Sequence, residues 1–106
     1  MAEFVKVANI AEVPPGTAKL VFVDNVPLAL YNVAGQIYAT DDTCTHEEAS
    51  LAEGELTEHV IKCPRHGAEF DVRTGQQLCM PAVAPVATYA VKVEGAVILV
   101  SLGSRG

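Results

Sequence analysis

Two short clusters of cysteine and histidine constrain this chain more than any other feature of its sequence. The first is Cys44-Thr45-His46 and the second is Cys63-Pro64-Arg65-His66, with sixteen residues between His46 and Cys63. Each cluster supplies one thiolate and one imidazole, which are common metal ligands in proteins. Ligands close in sequence converge at small entropic cost, because the segment between the clusters has to close only once. The spacing therefore predicts a metal site formed by Cys44, His46, Cys63 and His66.

The ligand types alone leave two kinds of metal site open. Two cysteines and two histidines satisfy tetrahedral zinc, so a zinc-stabilised binding module without redox activity is one hypothesis. Zinc fingers usually pair like ligands, whereas each cluster here pairs a cysteine with a histidine. This mixed pairing favours a two-metal cluster, in which both cysteines reach one iron and both histidines reach the other.

Length and composition indicate one compact domain spanning residues 1–106. The chain is half hydrophobic and 19% charged, which is ordinary for a globular protein that folds by itself. Its formal net charge of −6 disfavours binding to nucleic acid or to anionic lipid surfaces. The sequence shows neither a secretory signal nor a membrane-spanning run, and its three cysteines are an odd number. We therefore expect a cytoplasmic protein with reduced thiols and no membrane partner.

Strand-like runs separated by turn residues predict an all-β fold. The two clearest hairpins turn at Ala34-Gly35 and at Glu94-Gly95, and Asp24-Asn25 marks a further turn. No helix of ordinary length is predicted. The predicted strands outside the metal-binding region cover residues 4–7, 19–23, 28–33 and 36–40 and the two arms of the second hairpin.

The region from residue 41 to residue 85 differs from the rest of the chain. It holds all three cysteines, all three histidines and three of the six prolines. Within it, residues 54–63 read as a short hairpin and residues 68–71 as a strand, so this region is predicted to be folded.

The signature CxH, about sixteen residues, then CxxH resembles that of the Rieske family, and CTH and CPRH match it. The flanking stretches YATDDTCTHEEASLAEGEL and IKCPRHGAEFDVRTGQ resemble ferredoxins that serve bacterial aromatic-ring-hydroxylating dioxygenases in aromatic hydrocarbon catabolism. The resemblance implies an antiparallel β-sandwich base, three antiparallel sheets in all, with a small cluster-binding subdomain inserted at roughly residues 41–78. It also implies one [2Fe-2S] cluster as the cofactor.

The same resemblance implies that the protein is an electron carrier and not an enzyme. A terminal oxygenase needs a further mononuclear iron site with two more histidines, and His59 alone is left; a reductase needs a nucleotide-binding GxGxxG motif, which is absent. The implied partners are a flavoprotein NAD(P)H-dependent ferredoxin reductase and a terminal oxygenase, and we expect a monomer. A small subunit of another redox enzyme, such as a nitrite reductase, is the alternative within this class.

Two departures from related proteins bear on the reduction potential. Respiratory Rieske proteins carry an extra cysteine in each ligand loop, joined as a disulfide; Ala49 and Arg65 stand at the corresponding positions here. Glu47 follows a ligand where related ferredoxins often have glycine, and its carboxylate should disfavour reduction. We expect a potential at the low end of the Rieske range.

Several other side chains are assigned structural roles. We expect His59 to be a solvated turn residue, Cys79 to be a buried or half-buried thiol, and Phe70 to pack beneath the cluster loops. The three tyrosines, Tyr31, Tyr38 and Tyr89, are expected to fill the sandwich core. The stretch MPAVAP, residues 80–85, resembles a loop that covers the cluster in relatives, although it could equally be a simple turn of the chain.

Overall fold

A computed structural model describes residues 4–43, 50–64, 67–78 and 85–102 of the chain. In these residues the fold is almost entirely antiparallel β, as the sequence predicts. The only helical elements in these ranges are two short 3₁₀ helices, Ile10–Glu12 and Leu51–Glu53. No helix in the described part of the chain has the length and apolar character needed to cross a bilayer. The strands are β1 (Val5–Asn9), β2 (Ala18–Val23), β3 (Val26–Val33), β4 (Gln36–Asp41), β5 (Glu55–Thr57), β6 (Val60–Lys62), β7 (Glu69–Asp71), β8 (Thr88–Glu94) and β9 (Val97–Ser101).

The base of the molecule is a six-stranded sheet in the order β1-β9-β8-β4-β3-β2. The β4–β8 contact that joins its two halves consists of two residue pairs, Ala39 with Tyr89 and Thr40 with Thr88. The resemblance implies three antiparallel sheets in all, but the described residues form two, because β8 pairs with β4 at Thr88 and Tyr89 and with β9 at residues 90–94, which makes the base one continuous sheet. The predicted β-sandwich base is confirmed, with this short junction between its halves.

The hairpin turns follow from residues that tolerate a positive φ angle. Asp24 and Asn25 have φ values of 50° and 66°, and Ala34 and Gly35 have 52° and 95°, as a two-residue type I′ turn requires. Both predicted turns are confirmed. The prediction for the last hairpin is wrong by one residue: Glu94 still pairs with Val97, so the turn is formed by residues 95 and 96. The alternating valines on both sides fit either register, which is why the sequence pattern does not distinguish them.

The smaller sheet, in the order β5-β6-β7, is the core of the predicted inserted subdomain. It confirms the predicted hairpin and the strand at Glu69–Asp71. Two buried apolar clusters hold the structure together. One fills the base: Ala8, Val13, Val21, Val23, Leu28, Leu30, Ile37, Ala39, Tyr89, Ile98 and Val100. The other joins the base to the small sheet: Ala29, Tyr31, Leu51, Ile61, Cys63, Ala68, Phe70, Val72 and Val86.

Candidate metal centre

The first predicted ligand pair, Cys44 and His46, lies outside the described residues, but both flanks of its segment are defined. Thr43 and Ser50 form an isolated antiparallel bridge, so the chain leaves β4 and returns to the same place after six residues. On the return side, the 3₁₀ helix Leu51–Glu53 begins immediately. The segment that carries CTH is therefore held at both ends.

The second ligand pair belongs to the connection between β6 and β7. The Cys63 amide donates a hydrogen bond to the Ala68 carbonyl at 2.6 Å, and the Gly67 amide donates to the Cys63 carbonyl at 3.1 Å. These bonds close a tight turn between Cys63 and Ala68. His66 lies inside this turn in sequence but outside the described residues. The CPRH segment is thus also held at both ends.

Cys63 lies in an apolar environment. It is only 2% exposed and belongs to the buried apolar cluster between the base and the small sheet, together with Leu51, Ile61, Ala68 and Phe70. The predicted position of Phe70 beneath the ligand segments is consistent with its complete burial in this cluster. Apolar surroundings limit the access of water, and solvent access is one of the factors that set the reduction potential of an iron–sulfur site.

The two ligand segments are brought together by a close backbone approach. Glu55 on β5 pairs with Lys62 on β6, so residue 54, four residues after Ser50, faces the start of the second segment. A Cβ atom at Gly54 would lie 2.0 Å from the Lys62 carbonyl oxygen, which leaves room only for glycine. Leu51 and Cys63, which follow the first segment and begin the second, are buried in the same cluster. The fold therefore brings the chain that follows the first segment close to the start of the second.

An open cleft of about 510 Å³ borders the second segment. It reaches Cys63 and Pro64 from the solvent side and carries both acidic and basic side chains. The turn around Cys63 is thus close to the protein surface, as electron transfer to a partner requires. The described residues that line the cleft are Glu53, Gly54, Glu55, Lys62, Cys63, Pro64 and Gly67.

Within the described ranges, no group of three or more histidine, cysteine, aspartate or glutamate side chains is arranged to hold a metal ion. Of the four predicted ligands only Cys63 falls in those ranges, so the four-ligand set itself stays a prediction. His59 is not a candidate, because it lies in the turn between β5 and β6, at the opposite end of β6 from Cys63. It is half-buried there, and its carbonyl accepts the Val72 amide at 2.9 Å.

The tyrosines occupy two different cores. Tyr31 is fully buried in the cluster between base and subdomain, where its hydroxyl forms a 2.8 Å hydrogen bond with Thr40, and burial raises its pKa well above the ordinary value. Tyr89 is buried in the base core, whereas Tyr38 packs against the cluster between base and subdomain, so the prediction that all three fill the sandwich core is wrong for Tyr31 and Tyr38. Cys79 and most of the MPAVAP stretch lie outside the described residues.

Sequence reasoning missed one polar residue at the site. Asp42 is buried directly before Thr43, and its carboxylate accepts hydrogen bonds from beyond the first ligand segment. The only signal was the acidic pair immediately upstream of CTH, which reads equally well as part of a solvated turn.

The arrangement of the two segments agrees with a family match. The Rieske [2Fe-2S] domain family matches residues 3–90 of the chain. The chain belongs to this family. Rieske domains hold one [2Fe-2S] cluster, so the zinc-module hypothesis is set aside and the cofactor is a [2Fe-2S] cluster.

Relatives of this Rieske protein include ferredoxin components of dioxygenase systems. The chain is 41% identical over 100 residues to the ferredoxin component of the naphthalene 1,2-dioxygenase system of Pseudomonas aeruginosa, covering 94% of this chain and 96% of the relative. It is 44% identical over 95 residues to the 3-phenylpropionate/cinnamic acid dioxygenase ferredoxin subunit of Escherichia coli strain K12, covering 88% of each chain. These relatives are components of oxygenase systems rather than the oxygenases, and the Rieske protein is likewise an electron-transfer protein.

The fold agrees with the same relatives. A chain in the solved complex of reduced oxygenase and oxidized ferredoxin in carbazole 1,9a-dioxygenase superposes with a TM-score of 0.89 at 41% identity. The superposition covers 97% of this chain and 95% of that one. The predicted Rieske fold is thereby confirmed.

The described residues of this Rieske protein fit the cluster. A cluster needs thiolate and imidazole ligands on two rigid segments that approach each other, with limited water access. Cys63 meets these conditions through its burial and its backbone hydrogen bonds, and the bridge between Thr43 and Ser50 fixes the other segment. When bound, the cluster accepts and releases one electron. Cys63 would hold the cluster, its apolar neighbours would restrict water there, and the cleft beside Cys63 and Pro64 would leave this turn near the surface.

Proposed function

We propose that Cys44, His46, Cys63 and His66 hold the [2Fe-2S] cluster, with both thiolates on one iron and both imidazoles on the other. In this function the protein carries one electron at a time from a flavin-containing NAD(P)H-dependent reductase to a terminal aromatic-ring-hydroxylating dioxygenase. Residues 1–106 form one Rieske domain, in which the cluster-binding part runs from about residue 41 to residue 78.

The observation that carries this proposal is the similarity to ferredoxin components along nearly the whole chain. The relative from the naphthalene 1,2-dioxygenase system covers 94% of this sequence. A match of this extent favours a separate electron carrier over a domain of a larger enzyme. The two segments that contain CTH and CPRH support the ligand assignment, because both are held at their ends and their flanking residues Leu51 and Cys63 share one buried apolar cluster.

The ligand types suit an electron carrier. Two neutral imidazoles in place of two thiolates remove two negative charges from the cluster, so adding an electron costs less than in an all-cysteine site. Ala49 and Arg65 leave no disulfide beside the cluster, which supports a potential at the low end of the Rieske range, and Glu47 acts in the same direction. A low-potential carrier can reduce an oxygenase whose own centre has a higher potential.

The proposed carrier acts as a monomer in the cytoplasm. A shuttle has to present one surface to the reductase and then to the oxygenase, and a monomer leaves that surface free. The net charge of −6 supports association with positively charged protein surfaces.

Matched ligand variants test this function. His66→Ala and Cys63→Ser are compared with His59→Ala and Cys79→Ser, which change the same residue types outside the proposed ligand set. We measure iron per chain, visible absorption and the rate at which the dithionite-reduced protein is reoxidised by the oxidised terminal oxygenase of a naphthalene 1,2-dioxygenase system. His66→Ala and Cys63→Ser should lose nearly all iron, visible absorption and electron transfer to the oxygenase, because each variant removes one proposed ligand of the cluster. The second pair should behave as the wild type, with two irons per chain as one cluster requires.

Different results would separate the parts of the proposal. Loss of the cluster in His59→Ala or Cys79→Ser, with retention in His66→Ala, would refute the ligand assignment. Intact clusters combined with no electron transfer to the oxygenase would refute the proposed partner. A stable complex with one large enzyme in a pull-down would instead favour a permanent small subunit.

A further inference from the structure

Asp42 is a buried carboxylate at the end of β4, with a residue exposure of 5%. Its Oδ1 atom accepts two hydrogen bonds, from the Ser50 hydroxyl and from the Ala52 amide, both at 2.9 Å. Its main chain takes part as well, because the Asp42 carbonyl accepts the Leu51 amide at 2.7 Å and the Asp42 amide donates to the Pro27 carbonyl at 3.2 Å. Asp42, which precedes the first ligand segment, thus forms hydrogen bonds with three consecutive residues that follow it, Ser50, Leu51 and Ala52.

A carboxylate is removed from water at considerable cost, and the hydrogen bonds that it accepts compensate for that cost. Here the donors are not neighbours in sequence, since they lie eight and ten residues further along the chain. The adjacent Asp41 differs in this respect, because its carboxylate accepts the Tyr89 hydroxyl from the base sheet. The Asp41 side chain is therefore hydrogen-bonded to the base sheet, whereas the Asp42 side chain is hydrogen-bonded to the residues that follow the first ligand segment.

We propose that Asp42 is the positioning residue of the first cluster-binding segment. Its carboxylate joins the two ends of the segment that carries Cys44 and His46, and so limits the positions that these two ligands can take. This inference rests on the proposed assignment of Cys44 and His46 as ligands.

The hydrogen bonds of Asp42 also affect the second ligand segment, because the residues that they hold flank a buried side chain that packs in the same apolar cluster as Cys63. Ser50 and Ala52 flank Leu51, which is fully buried in the same cluster as Cys63 and Phe70. Holding Ser50 and Ala52 therefore holds Leu51, which follows the first segment, in the apolar cluster that contains Cys63 at the start of the second. Without the carboxylate, the contacts that remain among the described residues are the Thr43–Ser50 bridge, main-chain hydrogen bonds and the packing of Leu51.

Three variants of the full-length, cluster-loaded protein test this role. Asp42→Ala removes the acceptor, whereas Asp42→Asn removes the charge and keeps an oxygen where Oδ1 lies. Asp71→Ala is the matched control, because Asp71 is also a buried carboxylate that accepts a backbone amide, but it lies at the end of β7 away from Cys63. For each protein we measure the rate at which visible absorption is lost in excess EDTA, the electron paramagnetic resonance spectrum after dithionite reduction, and the melting temperature.

Asp42→Ala should lose its cluster at least about tenfold faster than the wild type, the factor expected when a buried hydrogen-bond acceptor is lost. Its reduced-state spectrum should shift or broaden, because the ligands change orientation. Asp42→Asn should stay within about threefold of the wild type, since an amide oxygen still accepts hydrogen bonds. Asp71→Ala should melt at a lower temperature while its spectrum and its rate of cluster loss match those of the wild type.

Equal rates and unchanged spectra in Asp42→Ala and Asp71→Ala would overturn the positioning role. So would an Asp42→Asn variant as labile as Asp42→Ala, because the charge rather than the accepted hydrogen bonds would then matter. If Asp42→Ala does not accumulate as folded protein, Ser50→Ala removes one of the two donors and should still accelerate cluster loss; no acceleration would reject the proposal. A wild-type protein without a two-iron cluster would instead refute the proposed function, so the two failures are distinguishable.

Discussion

At the scale of single residues, the pair formed by Asp71 and Arg73 shows how a charged side chain stabilises the small sheet. The Arg73 guanidinium donates to both Asp71 oxygens, at 3.1 and 2.9 Å, and the Arg73 amide donates to Oδ1 at 2.9 Å. The hydrogen bond from the Arg73 side chain is the main reason why the pKa of Asp71 is lowered, and the backbone bond acts in the same direction. The ionised carboxylate is therefore the form that the folded state prefers.

The lowered pKa of Asp71 predicts a pH-dependent contribution to stability. A carboxyl group with a lower pKa in the folded state stabilises the protein above its unfolded pKa, near 3.8, and this contribution is lost as the pH falls through the folded value. We expect Asp71→Asn to melt below the wild type at pH 7, and the difference to narrow below about pH 4. Melting temperatures of both proteins between pH 7 and pH 3 provide the check. A difference that stays constant across this range would contradict the assignment.

Single residues also show what could be predicted from the sequence. The ligand motif could be predicted because cysteine and histidine are rare in this chain and their spacing is specific. Asp42 could not, because its role depends on Ser50 and Ala52, which only the folded chain brings to its carboxylate. The hydrogen bond from the Val72 amide to the His59 carbonyl likewise joins residues thirteen apart, whereas the place of His59 in a turn followed from local residues.

At the scale of elements, the connection from the small sheet to β8 depends on one glycine. Gly75 accepts the Val86 amide at 2.8 Å, and a Cβ atom there would lie 2.1 Å from the Val86 carbonyl oxygen. Its φ angle is +80°, so a substitution also meets backbone strain. This contact joins the small sheet to the strand that returns to the base.

The variant Gly75→Ala should therefore destabilise the protein more than Gly35→Ala does. Gly35 also has a positive φ angle, +95°, but nothing lies within 4 Å of its added Cβ atom, so that variant measures backbone strain alone. Gly35→Ala should cost about 1 kcal/mol, and Gly75→Ala a further 1–3 kcal/mol or so for the steric conflict with Val86. Denaturant unfolding of both variants gives the comparison. Equal losses would show that the Gly75 contact is not tight in solution.

The elements themselves followed largely from the sequence, because strands of alternating polarity and turn residues are local signals. The hairpin from Val26–Val33 to Gln36–Asp41 is an example, since its turn residues adopt positive φ angles. The register at residues 95 and 96 and the β4–β8 junction were not predictable in the same way. They depend on which strands meet in the folded sheet, and many pairings fit the same alternation.

At the scale of the whole molecule, the base and the small sheet share one apolar cluster. Ala29 and Tyr31 come from the base, whereas Ile61 and Phe70 come from the small sheet, and all four are completely buried. The part that holds Cys63 is therefore supported by the base and is not an independently packed unit. Such support suits electron transfer, because a site held by packed neighbours keeps its geometry better than one on a free loop.

The most direct test of the account is an electron paramagnetic resonance spectrum of the dithionite-reduced protein, taken with its iron and zinc content and a redox titration of the same signal. We predict a signal of low average g typical of Rieske centres, two irons and no zinc per chain, and a midpoint below zero within the family range of about −150 to +300 mV. Zinc without a signal would contradict the electron-carrier account, and a Rieske signal with a midpoint well above zero would contradict the low-potential part of it.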